Sequence, residues 1–544
     1  AESTASAESV GSIKGIYLVP NPQSVQVDNP PAVSGIKIKG EGEDEEFVVP
    51  DGVVTALEPF IGGPLSLKSI QEISRDAILA YRAAGLPVVD IGFPEQNVST
   101  GVLQLVIIVG TAGEITLEGA KYFDEKIYLR SFSTERGDVL WEGPIITDLE
   151  YLNRSPYRQV DLVFTPGDGF GEADLILRTN EIRPWSVYTG YENNGTEFIG
   201  RDRLLFGGEW GNAFGLDHTV GYQYTTTDDF DSLHAHAATY RIPIWQLRHE
   251  LQFLAAYVEA GSQIPAGNQG NLASSGKSVQ LSTTYRFPLP EWFGYKAEGF
   301  AGFDFKSTNN NLEFGGLNVF DNSAETWQFF FGEQLSKANS LGNQLIGNRL
   351  VWSPGDLSNH NDEASFQSLR ALSSSDYVYW NVDFTQTVNL PHGFTALFEV
   401  EGQLSNANLL PAEALSLGGL QNVRGFEENL LLADEGVTMK LEVYAPSLPL
   451  LSAMPELGGG IGEKWEVVDE SARFFAFYDQ AWAGNVDLLP GEPDQVRLGG
   501  MGLGLDYRLG KHFNARFAHA WQVDEDGFND GRNGRWHVSA ITKW

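Results

Sequence analysis

Leu417-Gly418-Gly419-Leu420-Gln421-Asn422-Val423-Arg424-Gly425-Phe426 sets an arginine and a glycine between apolar residues, midway along a long connection, 405–436. On both sides of that connection the chain alternates. Downstream, Val437, Met439, Leu441 and Val443 oppose Thr438, Lys440, Glu442 and Tyr444. Upstream, Val378, Trp380, Val382 and Phe384 oppose Tyr379, Asn381 and Asp383. A period of two puts each set on one face of a strand. The pattern recurs from Trp185 onward in segments of roughly ten residues, the length a tilted strand needs to cross a bilayer. Apolar residues would face lipid and polar ones a watery lumen, the inverse of a soluble barrel.

Counting these segments predicts a transmembrane β-barrel of about sixteen antiparallel strands. They fall near 185–193, 202–211, 217–227, 233–243, 248–260, 277–288, 295–306, 325–336, 343–354, 377–388, 394–404, 437–446, 472–482, 499–508, 512–523 and 535–544. An even count returns both ends of the barrel to one side. Connections 261–276, 307–324, 355–376, 405–436 and 483–498 are long, whereas 212–216, 244–247, 389–393 and 509–511 are tight. Long loops belong outside the cell and short turns to the periplasm. The exception is 447–471, a long connection on the short side. In 536–544, Trp536, Val538, Ala540 and Trp544 share a face. That pattern fits a last strand that pairs with the first, and is similar to the aromatic-ended targeting signal of outer-membrane barrels.

The tetrad Val423-Arg424-Gly425-Phe426 resembles the signature loop of the Omp85 superfamily of outer-membrane barrels. The wider run, from Leu409-Leu410-Pro411 through Gly418-Gly419 to Tyr444-Ala445-Pro446, is similar to the two-partner secretion transporters within it (the FhaC, ShlB and HecB type). Phe477-Tyr478-Asp479-Gln480-Ala481 resembles the family's inward F-x-D-x-G motif, with Ala481 in place of the closing glycine. The resemblance implies that the loop folds back into the lumen, where an unpaired guanidinium is costly and Arg424 needs a carboxylate. Asp479, sharing a face with Phe477, is the residue it points to. On the following strand Gly500, Gly502 and Gly504 share a face and would leave room for the loop tip, and Gly425 would admit a tight backbone.

The first third reads differently. Residues 1–33 are rich in Ser and Pro and read as an extended tether, beginning at a mature end whose export signal is gone. The acidic run 41–46 reads as a solvated loop. Within 34–110, Gly35-Ile36-Lys37-Ile38 is a short strand, and 67–84 is a helix. Ser66 caps that helix, Gly85 ends it, and Leu67, Ile70, Ile73, Ala77 and Tyr81 share its apolar face. Val102-Leu103-Gln104-Leu105-Val106-Ile107-Ile108-Val109 is a buried strand. This order resembles a POTRA domain, and Gly85-Leu86-Pro87 with Phe93-Pro94-Glu95-Gln96-Asn97-Val98 and Gly101 is similar to the first such domain of two-partner transporters. A second unit, 111–183, opens with Ile115-Thr116-Leu117-Glu118-Gly119. Its strands 160–164 and 173–177 form a hairpin around Pro166-Gly167-Asp168-Gly169. That glycine cluster lacks GxGxxG spacing and a following helix, so it is a turn rather than a phosphate loop. The organisation is therefore tether 1–33, POTRA 34–110, POTRA 111–183 and barrel 184–544.

The composition agrees. The chain has 544 residues, 60 glycines, 12% aromatics and no cysteine, which excludes thiolate metal sites, thiol nucleophiles and disulfides. No run approaches the roughly 18 apolar residues of a spanning helix. The net charge of −36 argues against nucleic acid or anionic lipid as the main partner and reads as solvated acidic loops. No G-x-S-x-G or H-E-x-x-H motif is present, and no enzymatic activity or cofactor is expected. His234 and His236 share a strand face but have no third ligand in view. They read as polar residues of the lumen, as do Glu399 and Glu401.

The resemblance implies an outer-membrane translocator that accepts an unfolded partner exoprotein through its POTRA domains and passes it through the barrel without ATP. It further implies a monomer surrounded by outer-membrane lipid and lipopolysaccharide and inserted by the barrel assembly machinery. Two other readings compete. An assembly or insertion factor would carry more POTRA modules and a weak seam between the first and last strands. A passive porin or surface scaffold would need neither the modules nor the tetrad.

Overall fold

The computed structural model describes residues 11–39, 47–265, 271–314, 317–450, 469–524, 526 and 534–544. Two compact units divide the chain, Ala1–Arg183 and Pro184–Trp544. The acidic run 41–46 lies outside the described residues, as does most of the connection 447–471.

The first unit holds two small α+β modules. The helix Leu67–Ala83 starts at a capping box in which Ser66 and Ser69 exchange side-chain and backbone bonds, satisfying donors the first turn leaves open. Gly85 closes it at φ +86°. Ile73, Ala77 and Tyr81 are buried on its inner face, but Leu67 is 70% exposed because the first helical position points away from the sheet. A second helix, Asp51–Leu57, was not legible, being too short to show a helical period.

The tether reading of 1–33 requires correction. Gly15–Val19 is an inner strand, placed between Gly35–Ile38 and Val102–Val109 and parallel to both, with Val89–Gly92 on the far edge. Ile13, Ile16 and Leu18 enter the same core as Leu103, Leu105 and Ile107. Burial of that apolar run outweighs the flanking prolines and serines. In the second module Arg158–Pro166 and Glu172–Glu181 form the hairpin, and Thr111–Glu118 runs parallel to the latter. Two helices, Glu125–Ser131 and Glu142–Leu152, accompany this sheet.

The second unit is a closed barrel of sixteen antiparallel strands, from Trp185–Glu192 to Arg535–Lys543. The last strand meets the first through pairs running from Tyr188↔Lys543 to Glu192↔Ser539. Closure leaves no free sheet edge, as lipid requires. Among the described residues no helix is long and apolar enough to cross a membrane. The wall alternates as its sequence alternates: Leu441 is 43% exposed on the outer face while its neighbour Glu442 is 5% exposed on the inner.

Two predicted loops are largely strand instead. His249–Pro265 pairs with Asn271–Trp292, and Tyr295–Phe314 with Leu317–Asn339, far beyond bilayer length. Residues 266–270 and 315–316 lie outside the described residues. Where a hairpin stands in water both faces can be polar, so alternation fades while the backbone ladder continues. Connection 355–376 contains a helix, Glu363–Leu369, capped by Asp362.

Candidate functional site

The connection between strands Thr395–Ser405 and Glu435–Tyr444 folds into the barrel. A small hairpin, Leu415–Leu417 with Leu431–Ala433, forms its stalk. Gly418 and Gly419 turn the chain at φ +96° and +95°, and Leu420 N donates to Glu428. The loop carries apolar cargo of its own. Leu417, Val423 and Phe426 are buried against Ala481, Ala483 and Leu498 of the wall. Ala481, the departure from the F-x-D-x-G pattern, is part of that contact, and a methyl group fits where the loop brings apolar side chains.

At the tip Arg424 is 1% exposed. Its Nε and Nη2 each donate to Asp479 at 2.6 Å, and its backbone N donates to the same carboxylate at 3.0 Å. Nη1 donates to Glu442. The guanidinium carbon lies 3.6 Å from the centre of the Phe477 ring, a cation–π contact inside a water-poor site. Glu442 also receives Arg516 and the Tyr444 hydroxyl, and Arg516 reaches Asp506 at 3.4 Å and lies over Phe475. The result is a connected network in which each buried charge has a partner, the condition under which such burial is tolerated.

Gly425 sits at φ +99° with its backbone against the wall. Its N donates to His537 Nε2 at 3.1 Å, and its O accepts from Gln522 at 2.9 Å. The three wall glycines do not share one task. A Cβ on Gly500 would come within 1.9 Å of Arg424 O, so this position admits the loop tip. At Gly502 and Gly504 a Cβ would meet the rings of Phe477 and Phe475 at 2.5 and 2.1 Å. These two seat the rings beneath the guanidinia, and only Gly500 meets the backbone of the loop.

Two anchors hold the base of the loop, and sequence reasoning found neither. Glu413 accepts from Lys306 Nζ at 2.6 Å, Gln328 at 3.1 Å and Tyr379 OH at 2.9 Å, side chains of three different wall strands, the last of them adjacent to the strand the loop leaves. Asp434 receives Arg370 from the loop that holds helix Glu363–Leu369, together with the backbone of Leu409. Phe366 of that helix packs with Leu409 and Leu410. The missed partner Glu442 lay on a face the alternation already assigned to the lumen. Which lumen carboxylate meets which cation depends on register between distant strands, and no spacing encodes it.

His234 and His236 are not lumen residues. Directly opposed residues of an antiparallel ladder share a face, and Phe206, Tyr224, His236 and Tyr257 form one row on the outer wall. The reading failed because a strand with histidine on one face and alanine on the other, Ala235 and Ala237, gives no apolar contrast. Among the described residues no group of three His, Cys, Asp or Glu side chains is arranged to hold a metal ion.

A closed sixteen-strand barrel, preceded by two α+β modules and holding an arginine-tipped loop inside it, has the build of an outer-membrane barrel protein. The chain belongs to the haemolysin secretion/activation protein family ShlB/FhaC/HecB, whose model matches residues 171–469, and its residues 32–110 match the ShlB-type POTRA domain. It is 22% identical over 433 residues to the heme/hemopexin transporter protein HuxB of Haemophilus influenzae, covering 75% of this chain and 71% of that one. Over 169 residues, 30% of this chain and 27% of the relative, it is 30% identical to the outer membrane transporter CdiB-2 of Burkholderia pseudomallei. The structure of CdiB from Escherichia coli has the same fold, with a TM-score of 0.75 at 17% identity, covering 100% of this chain and 92% of the other. The barrel therefore lies in the outer membrane with its POTRA domains in the periplasm, and the family is one of protein transporters rather than enzymes.

Orientation can be checked directly, because the chain has no native cysteine. A cysteine at Leu357, exposed in the helical loop, should react with an impermeant maleimide on intact cells. One at His392, in the tight turn Pro391–Gly393, should react only after the outer membrane is permeabilised. The reverse pattern would invert the topology.

Proposed function

We propose that this protein recognises an unfolded partner exoprotein through its two POTRA domains, 11–110 and 111–183, and secretes it through the barrel, 184–544. The observation that carries this reading is the loop at Arg424. It lies inside the barrel with its tip seated on a wall shaped to receive it, yet it is a connection between strands, able to leave without breaking the barrel. A pore meant to stay open has no need of it, which weighs against a passive porin. The periplasmic modules supply the receptor in this reading. Val89–Gly92 and Arg158–Pro166 each lie at the edge of a sheet, and an extended chain can add a strand to such an edge, gaining backbone hydrogen bonds with little demand on sequence. The cargo is a secreted protein, and the assembly-factor reading remains the alternative, since the barrel architecture is common to both.

The test is photocrosslinking from the edges. With benzoylphenylalanine at Asp90 or Asp161, both exposed, a crosslink to the exoprotein is expected during export, and none from an equivalent probe at Leu441 on the outer barrel wall. Continued export without a crosslink at either edge would remove these strands as the receptor.

A further inference from the structure

The outer wall carries an arrangement that translocation does not use. Four successive rows cross the strands between Arg203–Ala213 and Tyr295–Phe314. The row farthest from the barrel's two chain ends runs Thr226, His234, Glu259, Lys277, and the next Tyr224, His236, Tyr257, Val279. Below these lie Tyr222, Ala238, Ala255, Leu281, and then Val220, Tyr240, Phe253, Thr283. All four rows face outward with Phe206 and Trp210.

In the two upper rows polar groups face the lipid side. Lys277 Nζ and Glu259 pair at 3.1 Å, their side chains 50% and 42% exposed. A charged pair facing hydrocarbon is costly at the midplane and inexpensive near the interface, so these rows mark the headgroup layer of the outer leaflet. Tyr222 OH and Tyr224 OH each lie 2.8 Å from the Nδ1 of His236 and His234, which turns the Nε2 edges away from the tyrosines. The Tyr224 and His234 rings lie edge to edge, their centres 6.1 Å apart and their planes within 16° of parallel, and the His236 ring centre lies 4.9 Å from that of Tyr224. These rings form a flat aromatic surface bordered by an ammonium and a carboxylate. Directly beneath, Ala238 and Ala255 lower the floor of a groove of about 640 Å³ walled by Phe214, Tyr240, Phe253 and Phe303.

We propose that this wall is a binding site for the phosphorylated, acylated glucosamine lipid of the outer leaflet, the lipid A portion of lipopolysaccharide. Lys277 and the histidine edges meet phosphate, and Glu259 accepts from sugar hydroxyl or amide groups. The Tyr–His surface stacks on the sugar ring as aromatic faces do on flat partners with a polar rim. An acyl chain lies in the alanine-floored groove, which is apolar and at the depth that follows a headgroup held one row above. A phospholipid offers no ring for the aromatic surface. The net charge of the chain does not oppose this, because exposed charges more than about 10 Å away are screened at ordinary ionic strength. The inference depends on the outer-membrane placement but not on export.

The experiment is lipid retention by the full-length protein. Delipidated in detergent, then mixed with lipid A or with phosphatidylglycerol or phosphatidylethanolamine, it is read by native mass spectrometry. Lipid A should be retained over both phospholipids. Lys277→Gln combined with His236→Ala should lower retention about tenfold, on the order of one charged hydrogen bond. Ala255→Trp, filling the groove, should lower it similarly, while Leu441→Ala on another part of the outer wall should not. Each variant is first required to keep the heat-modifiable mobility of a folded barrel, with Lys277→Gln alone as the mildest. Equal retention of phosphatidylglycerol, or unchanged retention in folded headgroup and groove variants, would overturn the site, whatever the outcome for export.

Discussion

Asp479→Ala is expected to release the loop tip from the barrel wall. The substitution removes the acceptor of two guanidinium bonds and one backbone bond, leaving Arg424 to share Glu442 with Arg516. Removing one partner of a buried ion pair costs about 3–5 kcal/mol, enough to move the local opening equilibrium by more than about a hundredfold. Amide hydrogen exchange over 423–426 should accelerate by that order in the purified protein. The barrel should stay folded, since its ladder does not depend on the loop. Exchange unchanged within about threefold would mean that the apolar contacts of Val423 and Phe426, worth about 1.5–3 kcal/mol each, hold the tip without the ion pair.

The exchanged pair Arg424→Asp with Asp479→Arg should recover only part of the protection. Glu442 and the Phe477 ring both favour a cation at the tip, and an aspartate there would face Glu442. A complete rescue would show that these two contacts contribute little.

Deleting the first POTRA domain should abolish export of the co-encoded exoprotein while leaving a folded, inserted barrel. The structure alters how this deletion must be made. Gly15–Val19 is an inner strand of the domain's sheet, so removal of 34–110 alone would strand an apolar segment, with Ile16 and Leu18 stripped of their core. Removal of 11–110 takes the module whole. The barrel should survive because its sixteen strands close on themselves within Pro184–Trp544. Surface appearance of the exoprotein, followed by protease accessibility on intact cells, should fall to background. Persistent export would exclude this domain as the receptor. Failure of other outer-membrane proteins to insert would move the protein to the assembly factors.

Much of the barrel was legible because lipid imposes a rule on every strand. A residue that faces hydrocarbon must be apolar and its neighbour need not be, so Leu441 could be set against Glu442, and Phe477 placed on one face with Asp479, from spacing alone. The rule lapses where solvent replaces lipid, and there the reading failed: the hairpins around 266–270 and 315–316 extend in water, and 261–276 looked like loop. It failed for His234 and His236 because the opposite face of that strand carries only Ala235 and Ala237, which leaves no apolar contrast to mark the outer side. It failed at Gly15–Val19 because a short parallel strand is recognised by the sheet that receives it, not by its own pattern.

The sequence by itself determined the class of fold, the number of membrane strands, and the loop that carries Arg424, since alternation and glycine placement are local properties. Tertiary structure decided the partners. Glu442, Gln522 and His537 meet the tip from 18 to 112 residues along the chain from the loop residues they bond, and Glu413 and Asp434 tie its base to Lys306 and Arg370, each more than 60 residues away. A buried charge requires a counter-charge but does not specify which one. In a closed barrel, register and strand tilt choose among many lumen carboxylates, and those quantities exist only when all sixteen strands are in place.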